Sequence, residues 1–172
     1  MYSLAGYKGM DGETNSRSIR IALEKPSLMC FQSKKEMPAK PTSFGVVAII
    51  RQGDLFLAIR RGESLRAGGM VCFPGGHVEA GEQDSTAVVR ECHEELSIDV
   101  VPLNEVWKSV TDWGTALSWW TVEPLQPCCP VAHPIEVQEF FWLSLDDMIV
   151  HPDLLPGNHV FLEHVKSGVI QL

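Results

Sequence analysis

The chain has 172 residues, 45% hydrophobic and 21% charged, with a formal charge of -8 and a pI near 5.2. That length suits one compact domain and that composition a soluble globular one, while the acidic balance argues against a surface that wraps polynucleotide. No run approaches the ~20 apolar residues of a membrane span, and the opening residues lack the apolar stretch of a signal peptide, so the expectation is a cytoplasmic protein with no membrane contact.

Residues 1–41 mix Gly, Ser, Lys, Glu and Pro and close on Pro38-Ala39-Lys40-Pro41; apart from the short stretch Ile19 to Leu28 they show no clear period. They read as an N-terminal extension whose order is left open, with the domain proper over 42–172. From Phe44 the pattern changes. Phe44 to Ile50 is a β-branched apolar run, Gln52-Gly53-Asp54 a turn and Leu55 to Ile59 a second strand, which together signal a hairpin. A polar loop from Gly62 to Gly69 leads to a strand-like Met70 to Phe73. Pro74-Gly75-Gly76 then breaks the chain ahead of a Glu-rich loop. A helix follows over 85–96, with Asp84 or Ser85 expected as its cap. Ile98 to Val101, Val106 to Val110, Ala116 to Val122 and Glu136 to Leu143 read as strands. Asp146 to Val150 and Val160 to Lys166 read as helices, the latter with Asn158 as cap. Cys30, Cys72, Cys92, Cys128 and Cys129 are odd in number and form no C-x-x-C, which fits reduced thiols better than a disulfide frame or zinc site.

On a helix at about 100° per residue, Glu91, Glu94 and Glu95 fall within a sector of about 100°, while Val89, Cys92 and Leu96 fall on the other side. The expectation is an acidic stripe and a separate buried stripe, with Arg90 one turn before Glu94 and able to brace it. Clustered carboxylates repel, and a hard divalent ion removes the conflict; oxygen ligands on a rigid helix suit Mg²⁺ or Mn²⁺, which also bind phosphate. Gly75-Gly76 can bring bare backbone close to such an ion.

Read together, Gly76-x5-Glu82-x7-Arg90-Glu91-Cys92-x-Glu94-Glu95-x-Ser97-Ile98 resembles the Nudix box G-x5-E-x7-R-E-U-x-E-E-x-G-U, with six of its seven fixed letters present. The departure is Ser97, where a helix exit must be made by a residue less tolerant of positive φ. The resemblance implies an α/β fold, the Nudix-type α/β/α sandwich around a mixed sheet. It also implies a Mg²⁺-dependent pyrophosphohydrolase (Mn²⁺ an alternative ion) acting on a nucleotide or on a nucleoside diphosphate linked to another group. A non-hydrolytic nucleotide-binding module of the same fold is the alternative. By the same resemblance Glu91, Glu94, Glu95 and the Gly76 carbonyl would hold metal, Arg90 would position the glutamates and Glu82 would support the site. A box glutamate or an acidic residue of a later loop serves as base in the family, so Glu95 and Glu139 are both candidates.

The substrate is less defined. Arg60, Arg61 and Arg66 precede Phe73-Pro74-Gly75-Gly76 and are candidates for phosphate contact. Arg66 with Gly69-x3-Phe-Pro-Gly-Gly is similar to part of a coenzyme A pyrophosphatase signature, one residue short in spacing. Trp113, Trp119 and Trp120 could stack a base or fill the core. Gly114 stands where some ADP-ribose hydrolases of the family carry proline, and Cys128-Cys129 with His133-Pro134 follow the box rather than precede it as in the isomerase branch. The expected partner is a small nucleotide or diphosphate, with a homodimer left open.

Overall fold

The computed structural model describes residues 41–172 apart from Cys128. The stretch Ile19 to Leu28 and the Cys128 half of the cysteine pair lie outside the described residues. Six strands form one mixed sheet: β1 (Ser43–Gln52), β2 (Leu55–Arg61), β3 (Val71–Cys72), β4 (Val100–Val110), β5 (Thr115–Pro124) and β6 (Val137–Ser144). Helix α1 (Asp84–Leu96) covers one face, and α2 (Leu145–Ile149) with α3 (Pro156–Lys166) covers the other. This is the α/β/α sandwich expected of the box. Among the described residues no helix is long and apolar enough to cross a membrane.

The sheet order is β3-β2-β1-β5-β4, with β6 on the free edge of β2. β1 runs parallel to β5 from Ser43↔Thr115 to Ile50↔Val122, and as a central strand covered on both faces it is a continuous apolar run rather than an alternating one. Val46, Ala48 and Ile50 pack under α1, while Val47 and Ile49 pack under α3. Leu57 and Ile59 of β2 and Leu96 of α1 are fully buried in the first cluster; each contributes roughly 1.5–3 kcal/mol of apolar burial. In the second cluster Trp119 stacks on Phe161 at 4.5 Å between centroids and Phe73 meets both edge-on.

β1 and β2 pair only beside their turn, at Arg51↔Phe56 and Gln52↔Leu55, and then part. The gap is filled by the chain after β3. Val46 and Ala48 donate to the carbonyls of Gly76 and Pro74, and Val78 donates to that of Phe44. The Gly75-Gly76 segment is thereby laid along the start of the central strand, under α1.

Three local expectations are corrected. The two strands over 98–101 and 106–110 are one long β4, because a strand on the sheet edge tolerates Pro102 and absorbs the polar middle in two bulges. α1 is capped at Gln83 without a side-chain hydrogen bond; Asp84 instead accepts from the Ser118 hydroxyl at 2.7 Å. α3 starts at Pro156, whose fixed φ suits a first turn, and Asn158 is no cap: its buried Oδ1 accepts from the Phe73 N–H at 2.8 Å.

Candidate active site

Arg90 is the hub of the candidate site. Its Nε and Nη2 donate to the two oxygens of Glu82 at 3.0 and 2.9 Å, a bidentate pair. Nη1 donates to Glu91 Oε1 and Glu94 Oε2, each at 2.9 Å, and Nη2 also reaches the His77 carbonyl at 2.8 Å. One guanidinium thus fastens the 77–82 loop to the helix and neutralises carboxylates that would otherwise repel. The guanidinium holds the Glu82 carboxyl below its usual range, and the carboxylates push Arg90 the other way. The helical spacing points to Arg90 bracing Glu94 and the resemblance to its positioning the glutamates; its contacts to Glu82 and the His77 carbonyl tie in the loop as well.

The separation into an acidic and an apolar stripe is sharper in projection than in the fold. Glu91 and Glu95 are 8% and 4% exposed and lie on the same flank as Ala87, Val88, Cys92 and Leu96, whereas Val89 is only half-buried and Glu94 faces solvent. Burial pushes the Glu91 carboxyl up against the pull of Arg90. Burial pushes Glu95 further, to about 8, although Glu95 Oε2 accepts from the Gly75 N–H at 2.9 Å.

The two glycines cannot be replaced without collision. Gly75 has φ +144°, and a Cβ on it would overlap the Val46 carbonyl. A Cβ on Gly76 would overlap the Glu91 carboxylate. The Gly76 carbonyl accepts from Val46 at 2.9 Å and keeps its second lone pair. The result is a cradle of bare backbone against buried carboxylates. Arg90 draws Glu91 and Glu94 to one side while Glu95 turns to Gly75, and among the described residues no three His, Cys, Asp or Glu side chains converge at metal-ligand spacing.

The remaining candidates divide. Arg61 lies on the α1 side of the sheet: its charge steadies the Glu95 carboxylate and its Nη1 is 3.9 Å from the buried Cys72 thiol, which burial pushes up to about 11. Arg60 points to the opposite face, bound to Asp153 at 2.9 Å, to the Gly69 carbonyl at 2.7 Å and over the Phe141 ring. Glu139 stands opposite Arg60 in the β2–β6 register and pairs with it at 3.5 Å, so it is not brought to the α1 carboxylates. Burial is the main cause that raises Glu91 and Glu95, and the charge of Glu136 adds a smaller push to both. The Glu136 backbone is fixed by Gly62, which donates to the Glu136 carbonyl at 2.8 Å, and by His133 Nδ1, which accepts from its N–H. Sequence reasoning missed Glu136; strand parity with the inward Trp142 could have warned that Glu139 turns away. Of the tryptophans, Trp119 is core, Trp120 is half-buried against the α1 cluster and Trp113 is 46% exposed, with Arg66 above its ring.

The comparisons with known proteins agree with this architecture. The NUDIX domain family matches residues 39–165. A MutT protein from Methanosarcina mazei Go1 superposes with a TM-score of 0.67 at 25% identity, covering 77% of this chain and 98% of its own. The E. coli ORF135 protein superposes with a TM-score of 0.59 at 27% identity, covering 73% and 89%. A C. elegans Ap4A hydrolase shares the fold at 20% identity, with a TM-score of 0.58 over 74% of this chain and 97% of its own. No curated protein matches the chain.

Proposed function

The chain belongs to the Nudix family, hydrolases of phosphoric anhydride bonds, and from that premise we propose a Mg²⁺-dependent pyrophosphohydrolase that cleaves the diphosphate of a nucleotide or of a nucleoside diphosphate linked to another group. The observation that carries this reading is the pair of buried carboxylates, Glu91 and Glu95, raised by burial beside a glycine cradle. Buried charge of one sign is costly until a counter-charge is supplied. An all-oxygen donor set fits a hard divalent cation, with Mn²⁺ as the alternative.

On this reading Glu91, Glu94, Glu95 and the Gly76 carbonyl hold the ion. Bound there, it supplies charge neutralisation of the diphosphate and a more acidic water. Arg90 keeps the glutamates and the 77–82 loop in register. Arg61, beside Glu95, and Arg66 are the arginines left to contact the substrate phosphates; Arg60, committed to Asp153 and Glu139, is not. The proton from the attacking water passes to an acidic side chain. Glu136 is the better candidate than Glu139, supported by its electrostatic reach to Glu91 and Glu95; Glu95 is the alternative within the box. The same reading sets the protein in the cytoplasm, among free Mg²⁺ and nucleotides.

A panel of nucleoside diphosphates and their conjugates with Mg²⁺ or Mn²⁺, with products identified, tests the proposal. Glu94→Gln and Glu95→Gln should each lower turnover by orders of magnitude, and Glu136→Gln should do so without weakening metal binding. Tight nucleotide binding with no product would instead favour a nucleotide-sensing module.

A further inference from the structure

Two exposed side chains from separate loops, Arg66 and Trp113, meet at the end of the sheet where the Gly75-Gly76 segment lies along the start of β1. β2 runs antiparallel to β1 and ends at Arg61, at the end of the sheet where β1 and β5 begin, so the 62–69 loop leaves the sheet at the same end as the 111–114 turn that leads into β5. The start of β1, with residues 74–78 laid along it, lies between them. Across that interval the Arg66 guanidinium sits over the Trp113 indole, 5.6 Å from the ring centroid.

Both sides of the bridge are anchored. The carbonyl of Arg66 accepts from Arg61 Nε at 3.0 Å, Gln138 Nε2 donates to Glu63 at 2.9 Å, and Ala67 is held at φ +56°. On the other side the Gly114 carbonyl accepts from Thr42 at 3.0 Å, and the Thr111 hydroxyl accepts from the Thr115 N–H at 3.0 Å. Trp113 is nevertheless 46% exposed, whereas Trp119 is fully buried. An indole on a backbone-anchored turn and left in water offers a flat π-face, and the Arg66 guanidinium carbon lies within cation–π range of that face.

We propose that Trp113 is the base platform of the diphosphate site: a nucleobase replaces the guanidinium on the indole, and Arg66, released, turns to the substrate phosphates. The substrates are then diphosphates carrying an aromatic base, in preference to base-free ones. This rests on the hydrolase reading of the neighbouring carboxylates, and a binding measurement separates the two.

Indole fluorescence is followed while the protein in Mg²⁺ is titrated with each of the four common ribonucleoside diphosphates, and with inorganic pyrophosphate and ribose 5-phosphate as base-free probes. The expected result is quenching by one or more nucleoside diphosphates that is largely lost in Trp113→Phe, while affinity, read by calorimetry, stays within about threefold. Trp113→Ala should weaken the same ligand about 10- to 100-fold, the range of stacking losses, and leave pyrophosphate unchanged. Equal weakening of nucleotide and pyrophosphate, quenching that survives in Trp113→Phe, or no quenching by any of the four would overturn the proposal. Base-selective binding without hydrolysis would overturn the enzymatic reading alone; hydrolysis indifferent to Trp113 would overturn this one alone.

Discussion

At the scale of single residues, Ser97 shows how a departure from a motif is accommodated. It adopts φ +55° and ψ +35° at the end of α1, and the N–H groups of Ser97 and Ile98 fold back on the carbonyls of His93 and Cys92 at 2.9 and 3.3 Å. That turn satisfies the last carbonyls of the helix but asks a residue with a Cβ to sit in the left-handed region. Relief of that strain, less the extra entropy glycine has when unfolded, gives an expected gain of about 0.5–1 kcal/mol for Ser97→Gly. Thermal unfolding reads it directly, and turnover should be unchanged because Ser97 touches no carboxylate of the site. A lower melting temperature would mean that the serine hydroxyl contributes more than the backbone strain costs.

At the scale of elements, α1 is a helix with a well-made exit and a bare entrance. Gln83 has the extended backbone of a cap, φ -88° and ψ 146°, but its side chain makes no capping hydrogen bond. Gln83→Ser places a hydroxyl where it can accept from the N–H of Ser85 or of Thr86, the latter already donating to the Gln83 carbonyl at 2.9 Å, and should raise the urea midpoint by an amount equivalent to about 1 kcal/mol. No change in midpoint would show those groups to be satisfied already. The helix itself, the hairpin before it and the order of strands after it were legible in the sequence, because each depends on local pattern: a 3.6-residue period, a Gly-bearing turn, β-branched runs. What was not legible depends on neighbours. Pro102 reads as a strand break until β4 is known to be an edge, and Asn158 reads as a cap until Phe73 is found beside it. Glu91 and Glu95 project onto an acidic stripe, yet whether that stripe faces water is decided by the 74–78 segment folding over it. The same holds for Glu136 and Glu139, three residues apart in sequence: the charge of the first reaches the α1 carboxylates, while the second pairs with Arg60.

At the scale of the whole molecule, the buried carboxylates tie stability to pH and, on the proposed reading, to metal. Without metal, Glu95 has a folded pKa near 8 against an ordinary value of 4.5, raised chiefly by burial. Below about 4.5 the carboxyl is protonated in both states and costs nothing. Between about 4.5 and 8 the native state keeps a proton that the unfolded state releases, so stability falls as pH rises through this window, and above it the full penalty of a buried anion is present. Glu91, raised in the same direction, adds to the slope, whereas Glu82, lowered by Arg90, contributes stability that is lost only in acid as its folded carboxylate is protonated. In EDTA the melting temperature should therefore decline from weakly acid toward pH 8, and Glu95→Gln should flatten that decline. On the proposed reading Mg²⁺ would bind the ionised carboxylates, so by mass action its stabilisation should be small near pH 5 and largest near pH 8. Parallel EDTA profiles for the wild type and Glu95→Gln would show that Glu95 is not the group that titrates. A Mg²⁺ shift that did not grow with pH would break the link between these carboxylates and the ion, because a cation that relieves a buried negative charge must stabilise most where that charge exists.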